Sequence, residues 1–486
     1  MADMCMSGES LLHFLEPRGK TVQDRHQSTQ RPAASGTMRV GVIWVRLMTK
    51  QLRIGLAGLG TVGASLVRLL QTNGAAIGAR AGRPMAITAV SARDRKRDRG
   101  IDLSGLTWFD DAIALAGSAD IDCFVELIGG DEGPAREAVE AALKSGKHVV
   151  TANKALLAKH GNALAALAEE NGVHLAFEAS AAGGIPIVKT MREALAGNRV
   201  TRLYGILNGT CNYILSRMEA EGLSFAECLA DAQRLGYAEA DPTFDIEGYD
   251  TAHKLALLTS LAFGTQVDAD AIYVEGISAI APLDLKMADD LGFRIKLLGV
   301  AERTRTGIEQ RVHPTMVPRD SAIAQVMGVT NAVTIDADAV GELTLIGPGA
   351  GGDATASAVL ADIADVAGTP PRPPFGWPVA QMELAERAPM QRHEGGYYVR
   401  LAVYDRPGAA AGIARHMAEN DISLESILQR RSEAAALDPT GRSGAPVPVV
   451  LITYATSEGA VREAIRQIAG DGLIAEDAQV IRIERE

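Results

Sequence analysis

The sequence predicts an α/β protein whose first folded region is a doubly wound parallel sheet. Three observations predict it. An apolar run, LRIGLAGLG, opens at Leu52 and ends on a glycine turn; strand-like and helical periods then alternate as far as Asn153; and a proline-dense stretch, TPPRPPFGWP at 369–378, separates the long α/β body from a shorter C-terminal region. The 486 residues, 47% of them hydrophobic, suffice for roughly two to four domains, each with a core. A net charge of -12 argues against nonspecific nucleic-acid binding, which needs a basic face, and makes a small molecule the better partner. Cys5, Cys123, Cys211 and Cys228 form no CxxC and no cluster at metal spacing, so free thiols in a reducing cytoplasm are expected.

Residues 1–50 are polar and mixed in charge, with one apolar run, Val40 to Val45, too short to span a bilayer. They read as a disordered leader, Met38 and Met48 being alternative starts, and not as a membrane anchor or secretory signal. A nucleotide domain is expected over 51–180. After LRIGLAGLG, Val62, Leu66, Leu69 and Leu70 recur at helical spacing until Asn73 and Gly74. A strand at Met85 to Val90, a helix near Asp110 to Ala116, the strand DCFVELIG, the helix PAREAVEAALKSG and the strand HVVTAN follow. A second α/β domain on an open sheet is expected over 181–345. Its helices are Ile185 to Ala196, Asn212 to Glu219, Phe225 to Leu235 and Tyr249 to Phe263; its strand-like segments, beginning just upstream, are VHLAFEAS, VTRLYGILN, IKLLGVAE, QRVHPTMV, AVTIDAD and ELTLIGPG. Residues 346–368 are expected to return to the nucleotide domain, 369–395 to form a linker, and 396–486 to form a small domain in βαββαβ order.

Gly58, Gly60 and Gly63 form GxGxxG between a strand and a helix, the context in which the motif signifies a dinucleotide site. The first glycine makes the turn, the second admits a pyrophosphate and the third lets helix pack on strand. An NAD-selective site places an acid at the end of the second strand; here Ser91 stands there, followed by Arg93, Arg95, Lys96 and Arg97. Cations suit a 2'-phosphate, so NADP is expected, with NAD kept open by Asp94.

The stretch GYAEADPTFDIEGYDTAHK crowds Glu239, Asp241, Asp245, Glu247 and Asp250 ahead of Lys254. On a helix, Asp250 and Lys254 share one face about 5.4 Å apart along the axis. A carboxylate there holds the ammonium charged, ready to protonate an oxygen that gains negative charge, and the other acids suit a cationic group on a substrate. A solvated acidic loop leading into an ordinary surface pair is the alternative from charge alone.

The motifs GLAGLGTVG, VELIGG, TANK at Thr151 to Lys154, FEASAAGGIPI, GILNGTCNYIL, GYAEADPTFDIEGYDTAHK and GPGAGG at Gly347 to Gly352 make the sequence resemble the bacterial homoserine dehydrogenases that carry a C-terminal ACT domain, over nearly everything after residue 50. The resemblance implies reversible oxidation of L-homoserine to L-aspartate 4-semialdehyde with NAD(P), on the route to threonine, methionine and isoleucine. It makes Lys254 the proton donor, assigns Lys154 a place beside substrate and nicotinamide, and makes Glu239 and Asp250, with Asp245, the substrate ligands. It extends the nucleotide contacts to Leu59, Thr61, Val62, Ile128, Gly129, Gly236 and Gly349. It adds a monovalent cation, usually sodium, at Glu178, Ala181, Gly183 and Ile185. It also implies a dimerisation role for the second domain, a homodimer or homotetramer, and threonine as an effector bound near DRPG, Asp405 to Gly408. Cys211 stands where this family commonly has threonine, which puts a hydrogen bond there in doubt.

Overall fold

The computed structural model describes residues 50–390, 393–429 and 446–484. The expected leader, with Cys5, lies outside the described residues apart from Lys50.

The nucleotide-binding region is a six-stranded parallel sheet in the order β3-β2-β1-β4-β5-β6. Its strands are β1 (Leu52–Ala57), β2 (Met85–Ser91), β3 (Thr107–Phe109), β4 (Cys123–Glu126), β5 (His148–Thr151) and β6 (Leu175–Ala176). The helices α1 (Thr61–Ala81), α2 (Ala112–Gly117), α3 (Pro134–Lys144) and α4 (Lys154–Glu170) connect them. The order reverses between β1 and β4, so the glycine turn after β1 lies at the crevice where open α/β sheets bind ligands. Leu52, Ile54 and Leu56 are fully buried, as a strand covered on both faces requires.

Two expected elements differ. VHLAFEAS is a strand only at Leu175–Ala176, and α5 (Glu178–Ala182) begins at once. The chain leaves the sheet there because the Glu178 N–H donates to Asp362 at 2.8 Å, while the Glu178 carboxylate accepts the N–H groups of Val188 and Lys189 at 2.8 and 2.9 Å. The helix expected over 185–196 is accordingly split into α6 (Ile187–Lys189) and a π turn at Thr190–Ala194.

Among the described residues that follow, the strands form one mixed sheet of eleven. It comprises β7 (Val200–Ile206), β8 (Tyr273–Val274), β9 (Phe293–Thr304), β10 (Gly307–Pro318), β11 (Thr330–Ala337), β12 (Gly341–Pro348), β13 (Glu394–Tyr404), β14 (Leu424–Gln429), β15 (Pro446–Thr453), β16 (Thr456–Ser457) and β17 (Gln479–Ile483). Its main order is β12-β11-β7-β9-β10-β17-β13-β15-β14. The helices are α7 (Gly209–Glu221), α8 (Phe225–Arg234), α9 (Thr243–Ile246), α10 (Tyr249–Phe263), α11 (Pro282–Asp290), α12 (Gly352–Gly368), α13 (Ala409–Glu419) and α14 (Glu458–Gly470).

The strand β17 joins what the sequence divides: it pairs with β13 on one side and, in parallel, with β10 on the other, Thr315 opposite Arg482 and Met316 opposite Ile483. The proline-rich segment has no regular structure, yet Phe375 is fully buried with its ring 5.0 Å from that of Phe177. The helix α12 shares a core with β1 and α1 through Val359 and Ile363, and α10 shares one with α4 and β4 through Leu255 and Leu258. That second core fixes the acidic motif against the nucleotide sheet. Among the described residues no helix is long and apolar enough to cross a membrane, and the thiols of Cys123, Cys211 and Cys228 are free and buried.

Candidate active site

The glycine turn matches the role of each glycine. Gly58 has φ +99°, and a Cβ on it would come within 2.3 Å of the Leu127 carbonyl; a Cβ on Gly63 would come within 2.1 Å of the Gly58 carbonyl. Gly60 faces open space. No side chain caps α1, so the first-turn amides of Thr61, Val62 and Gly63 remain for an anion at the positive end of a 21-residue helix. These features fit a dinucleotide pyrophosphate.

Leu59 contributes structure: its side chain is buried and its carbonyl accepts a hydrogen bond from Arg99 Nε at 3.0 Å. The same guanidinium donates to the carbonyls of Arg97 and Asp94 at 2.7 and 2.6 Å and lies 6.0 Å from the Trp108 ring. Arg99, which the sequence reading did not single out, thus pins the basic turn to the glycine turn. Arg93 and Lys96 are exposed on that turn, and among the described residues no carboxylate pairs with either.

Across the crevice, the fully buried Glu126 organises two loops. One oxygen accepts the N–H groups of Ile128 and Gly129 at 2.7 and 2.9 Å; the other accepts the Thr151 hydroxyl at 2.5 Å. Thr151 in turn accepts the Asn153 N–H at 3.0 Å, and the Asn153 side chain donates to the Gly130 carbonyl at 2.6 Å while capping α4 through Leu156 N. This fixes Lys154, the first residue of α4. The amides of Ile128 and Gly129 are thereby engaged within the protein, and the Ile128 side chain is 43% exposed.

The acidic motif builds the other wall. Tyr249 to Phe263 is helical as expected, and Asp250 in its first turn is 5% exposed. Lys254 Nζ lies 2.7 Å from Asp250 Oδ2 and donates to the Leu207 carbonyl at 2.7 Å. Lys154 Nζ lies 3.2 Å from Asp250 Oδ1. Two ammonium groups from different domains therefore share one buried carboxylate. The Asn208 amide, at the N-cap of α7, completes the set by donating to Asp250 at 2.9 Å and to Asp245 at 2.8 Å. Burial pushes the Asp250 carboxyl up, but Lys254 and Lys154 together outweigh it and hold it at about 2. Asp245, half-buried beside that charge, is raised by burial and by Asp250.

Cys211 corrects an expectation. The bond in doubt is made by sulfur: Sγ donates to the Asp245 carbonyl at 3.2 Å, and burial pushes the thiol well above its ordinary value, keeping the proton it donates. Gly236 follows α8, and the Thr210 hydroxyl holds the next carbonyl, that of Tyr237, at 2.7 Å. Glu239, beyond it, is exposed, and among the described residues no side chain engages its carboxylate.

The segment expected to hold a cation packs on the late glycine loop. A Cβ on Gly183 would come within 2.1 Å of the Gly349 carbonyl, and Gly184 N–H donates to Pro348 at 3.0 Å. Both Glu178 oxygens already accept backbone N–H groups, and the Ile185 carbonyl accepts Ile187 N–H at 2.8 Å. The Glu178 carboxylate and the Ile185 carbonyl thus already hold main-chain N–H groups, and a hard cation at this segment would share oxygens that keep the loop in place. Burial, with Asp362 beside it, pushes the Glu178 carboxyl to about 7.

Comparison with known proteins decides the family. Residues 58–178 match the family model described as homoserine dehydrogenase, NAD binding domain, and residues 186–364 match that described as homoserine dehydrogenase. The chain is 44% identical to a homoserine dehydrogenase of Neisseria gonorrhoeae over 441 residues, which are 90% of this chain and 99% of that relative. This chain belongs to the homoserine dehydrogenase family.

Among solved homoserine dehydrogenases, that of Thiobacillus denitrificans is 42% identical with a TM-score of 0.83, covering 90% of this chain and 99% of that one. The Staphylococcus aureus enzyme at pH 7.5 is 31% identical with a TM-score of 0.70, covering 90% and 100%. A hyperthermophilic archaeal homoserine dehydrogenase in complex with NADPH is 26% identical with a TM-score of 0.56, covering 65% of this chain and 98% of that one. The protein is thus an oxidoreductase with a nucleotide-binding domain of the homoserine dehydrogenase type.

Proposed function

We propose that the protein interconverts L-homoserine and L-aspartate 4-semialdehyde by hydride transfer with NADP, Lys254 moving the proton. The supporting observation is the pair of lysines held on Asp250 at 2.7 and 3.2 Å. When bound, the nicotinamide supplies the hydride in reduction and accepts it in oxidation. As the aldehyde carbon becomes an alcohol carbon its oxygen gains negative charge. Lys254 spends two N–H groups on Asp250 and Leu207 and has a third for that oxygen. Lys154 adds a second positive charge in a partly dry pocket, polarising the carbonyl or holding the substrate carboxylate. Asp250 fixes both lysines, and its Oδ1, which faces only Lys154 at 3.2 Å among the described residues, can join Asp245 and Glu239 in holding the substrate ammonium. A sodium ion at Glu178, Ala181, Gly183 and Ile185 would steady the loop that packs on Gly349. Mixing the protein with homoserine and NADP+ should generate reduced-nicotinamide absorbance; none from the wild type would defeat the proposal.

For the nucleotide, Ser91 in place of an acid and the exposed Arg93 and Lys96, which no carboxylate pairs among the described residues, favour NADP, and NADPH is bound in the archaeal relative. Arg93→Ala is expected to lower the NADP-to-NAD ratio of kcat/KM about tenfold. An unaltered ratio contradicts the phosphate pocket.

The C-terminal βαββαβ unit is read as an ACT domain that binds threonine, in a cytoplasmic homodimer or homotetramer serving threonine, methionine and isoleucine synthesis. A cavity of about 340 Å³ lies at Asp405 and Gly408, beside Ala410 and Ile427. Filling it by Ala410→Trp, at an exposed position, is expected to abolish threonine inhibition and leave the uninhibited rate unchanged. Retained inhibition contradicts the site. Cutting the chain near residue 390 is a poorer test, because β17 would leave the side of β10 and expose the fully buried Arg311.

A further inference from the structure

The charged side chains between β17 and the acidic motif have no place in the reaction as described, yet several are buried. Arg482 on β17 is fully buried. It donates to Glu275 Oε2 at 2.7 Å and to both Glu458 oxygens at 3.1 and 2.8 Å. Arg462 on α14 reaches Glu275 Oε1 at 2.6 Å, and the Tyr273 hydroxyl bonds the same oxygen. Both oxygens of a residue between β8 and α11 are therefore held by arginines of the C-terminal unit.

The next residues reach the active-site loop. A Cβ on Gly276 would fall within 2.5 Å of the Ile246 carbonyl and of Glu247 Oε2, so the two backbones are in closest approach. Ile277 N–H donates to that Ile246 carbonyl at 2.9 Å, and the Ser278 hydroxyl donates to Glu247 at 2.8 Å. Gly248, the N-cap of α10, rests on Val274 and Val312, and the Val312 carbonyl accepts Glu275 N–H at 2.7 Å. Asp245 lies one residue before this contact and Asp250 two residues after Gly248.

We propose that Glu275 is a positioning residue for the substrate loop: clamped by Arg482 and Arg462, it sets the seat of Gly276 under Ile246 and Glu247 and so the placement of Asp245 and the first turn of α10. The C-terminal unit is then part of the active site's support, and any displacement of β17 or α14 reaches the substrate acids before it reaches the nucleotide crevice. The inference rests on the reading of Asp245 to Lys254 as the substrate site.

Two substitutions test it without emptying the buried charge cluster. Gly276→Ala forces the two backbones apart, and Arg462→Met removes one grip at a side chain that is 47% exposed. Each is expected to raise the homoserine KM, about tenfold for Gly276→Ala and about threefold for Arg462→Met, with the NADP KM within twofold of wild type. Arg462→Lys, which keeps a cation facing Glu275, is expected to restore the homoserine KM. A lowered melting temperature with both KM values unchanged would show a merely structural junction and overturn the proposal, as would equal increases in both KM values. Should Gly276→Ala fail to fold, Arg462→Met and its lysine rescue decide alone. Lys254→Ala serves as the control: wild-type turnover in that variant refutes the substrate site itself, whereas its inactivity beside unaffected Arg462→Met and Gly276→Ala refutes only the positioning role.

Discussion

Replacing Lys254 by alanine is expected to lower kcat for homoserine oxidation about a thousandfold while the KM values for homoserine and NADP stay within a few-fold of wild type. The size follows from what the ammonium does. Its nitrogen keeps one position for the oxygen that changes charge, donating as the ammonium in reduction and accepting as the amine in oxidation, and a positioned acid or base contributes about 10²- to 10⁴-fold. The KM values are expected to hold because, on the proposed reading, Asp245, Glu239 and Lys154 keep their hold on the substrate and the glycine turn is untouched. Lys254→Arg is expected to be nearly as poor, since a guanidinium stays protonated and cannot take up the alcohol proton. Steady-state kinetics in both directions check this; a fall in homoserine affinity with kcat preserved would make Lys254 a binding residue only.

Asp250→Asn is the second large effect. The change keeps the side-chain shape but removes the charge that both lysines share at 2.7 and 3.2 Å. The two ammonium groups then repel each other, and kcat is expected to fall about a hundredfold or more. Stability changes as well. Asp250 sits at about 2 in the folded protein, below its ordinary value of 3.8, because Lys254 and Lys154 together overcome the cost of its burial. A carboxyl with a depressed folded value stabilises the protein above its unfolded value and loses that contribution as pH falls through the folded one. Wild type should therefore exceed Asp250→Asn by about 2 kcal/mol at neutral pH, with the difference shrinking between about pH 4 and pH 2. Urea unfolding of both proteins across that range measures it; a difference that does not vary with pH would mean that charge is not what the residue contributes.

Much of this site is legible in the sequence because its parts are local. GxGxxG needs only a strand before it and a helix after it, and the helix Tyr249 to Phe263 is announced by its apolar period and by Gly264 past its end. The pairing of Asp250 with Lys254 follows from helical spacing. What escapes is whatever depends on residues far apart in the chain. Lys154 and Asp250 meet only because α4 and α10 pack in one core. Glu126 reads as one polar residue ending an apolar strand, yet it orders two loops through backbone amides that no pattern reveals. VIRIER alternates as though Arg482 faced water, whereas the side chain is buried between Glu458 and Glu275, and only the assembled sheet supplies those partners. The same cause explains why a division at the proline-rich segment misses the pairing of β17 with β10: a parallel pairing of so few residues leaves no trace in local periodicity.

Rescue of Lys254→Ala by small primary amines tests the proton-donor role most directly. If Lys254 moves the proton, taking it as the neutral amine in oxidation and returning it as the ammonium in reduction, adding methylamine or ethylamine should raise the variant's rate of homoserine oxidation in proportion to the concentration of free amine. Wild type should not respond. A variant that binds homoserine and NADP normally yet gains nothing from any amine, or that already turns over at the wild-type rate without one, contradicts it.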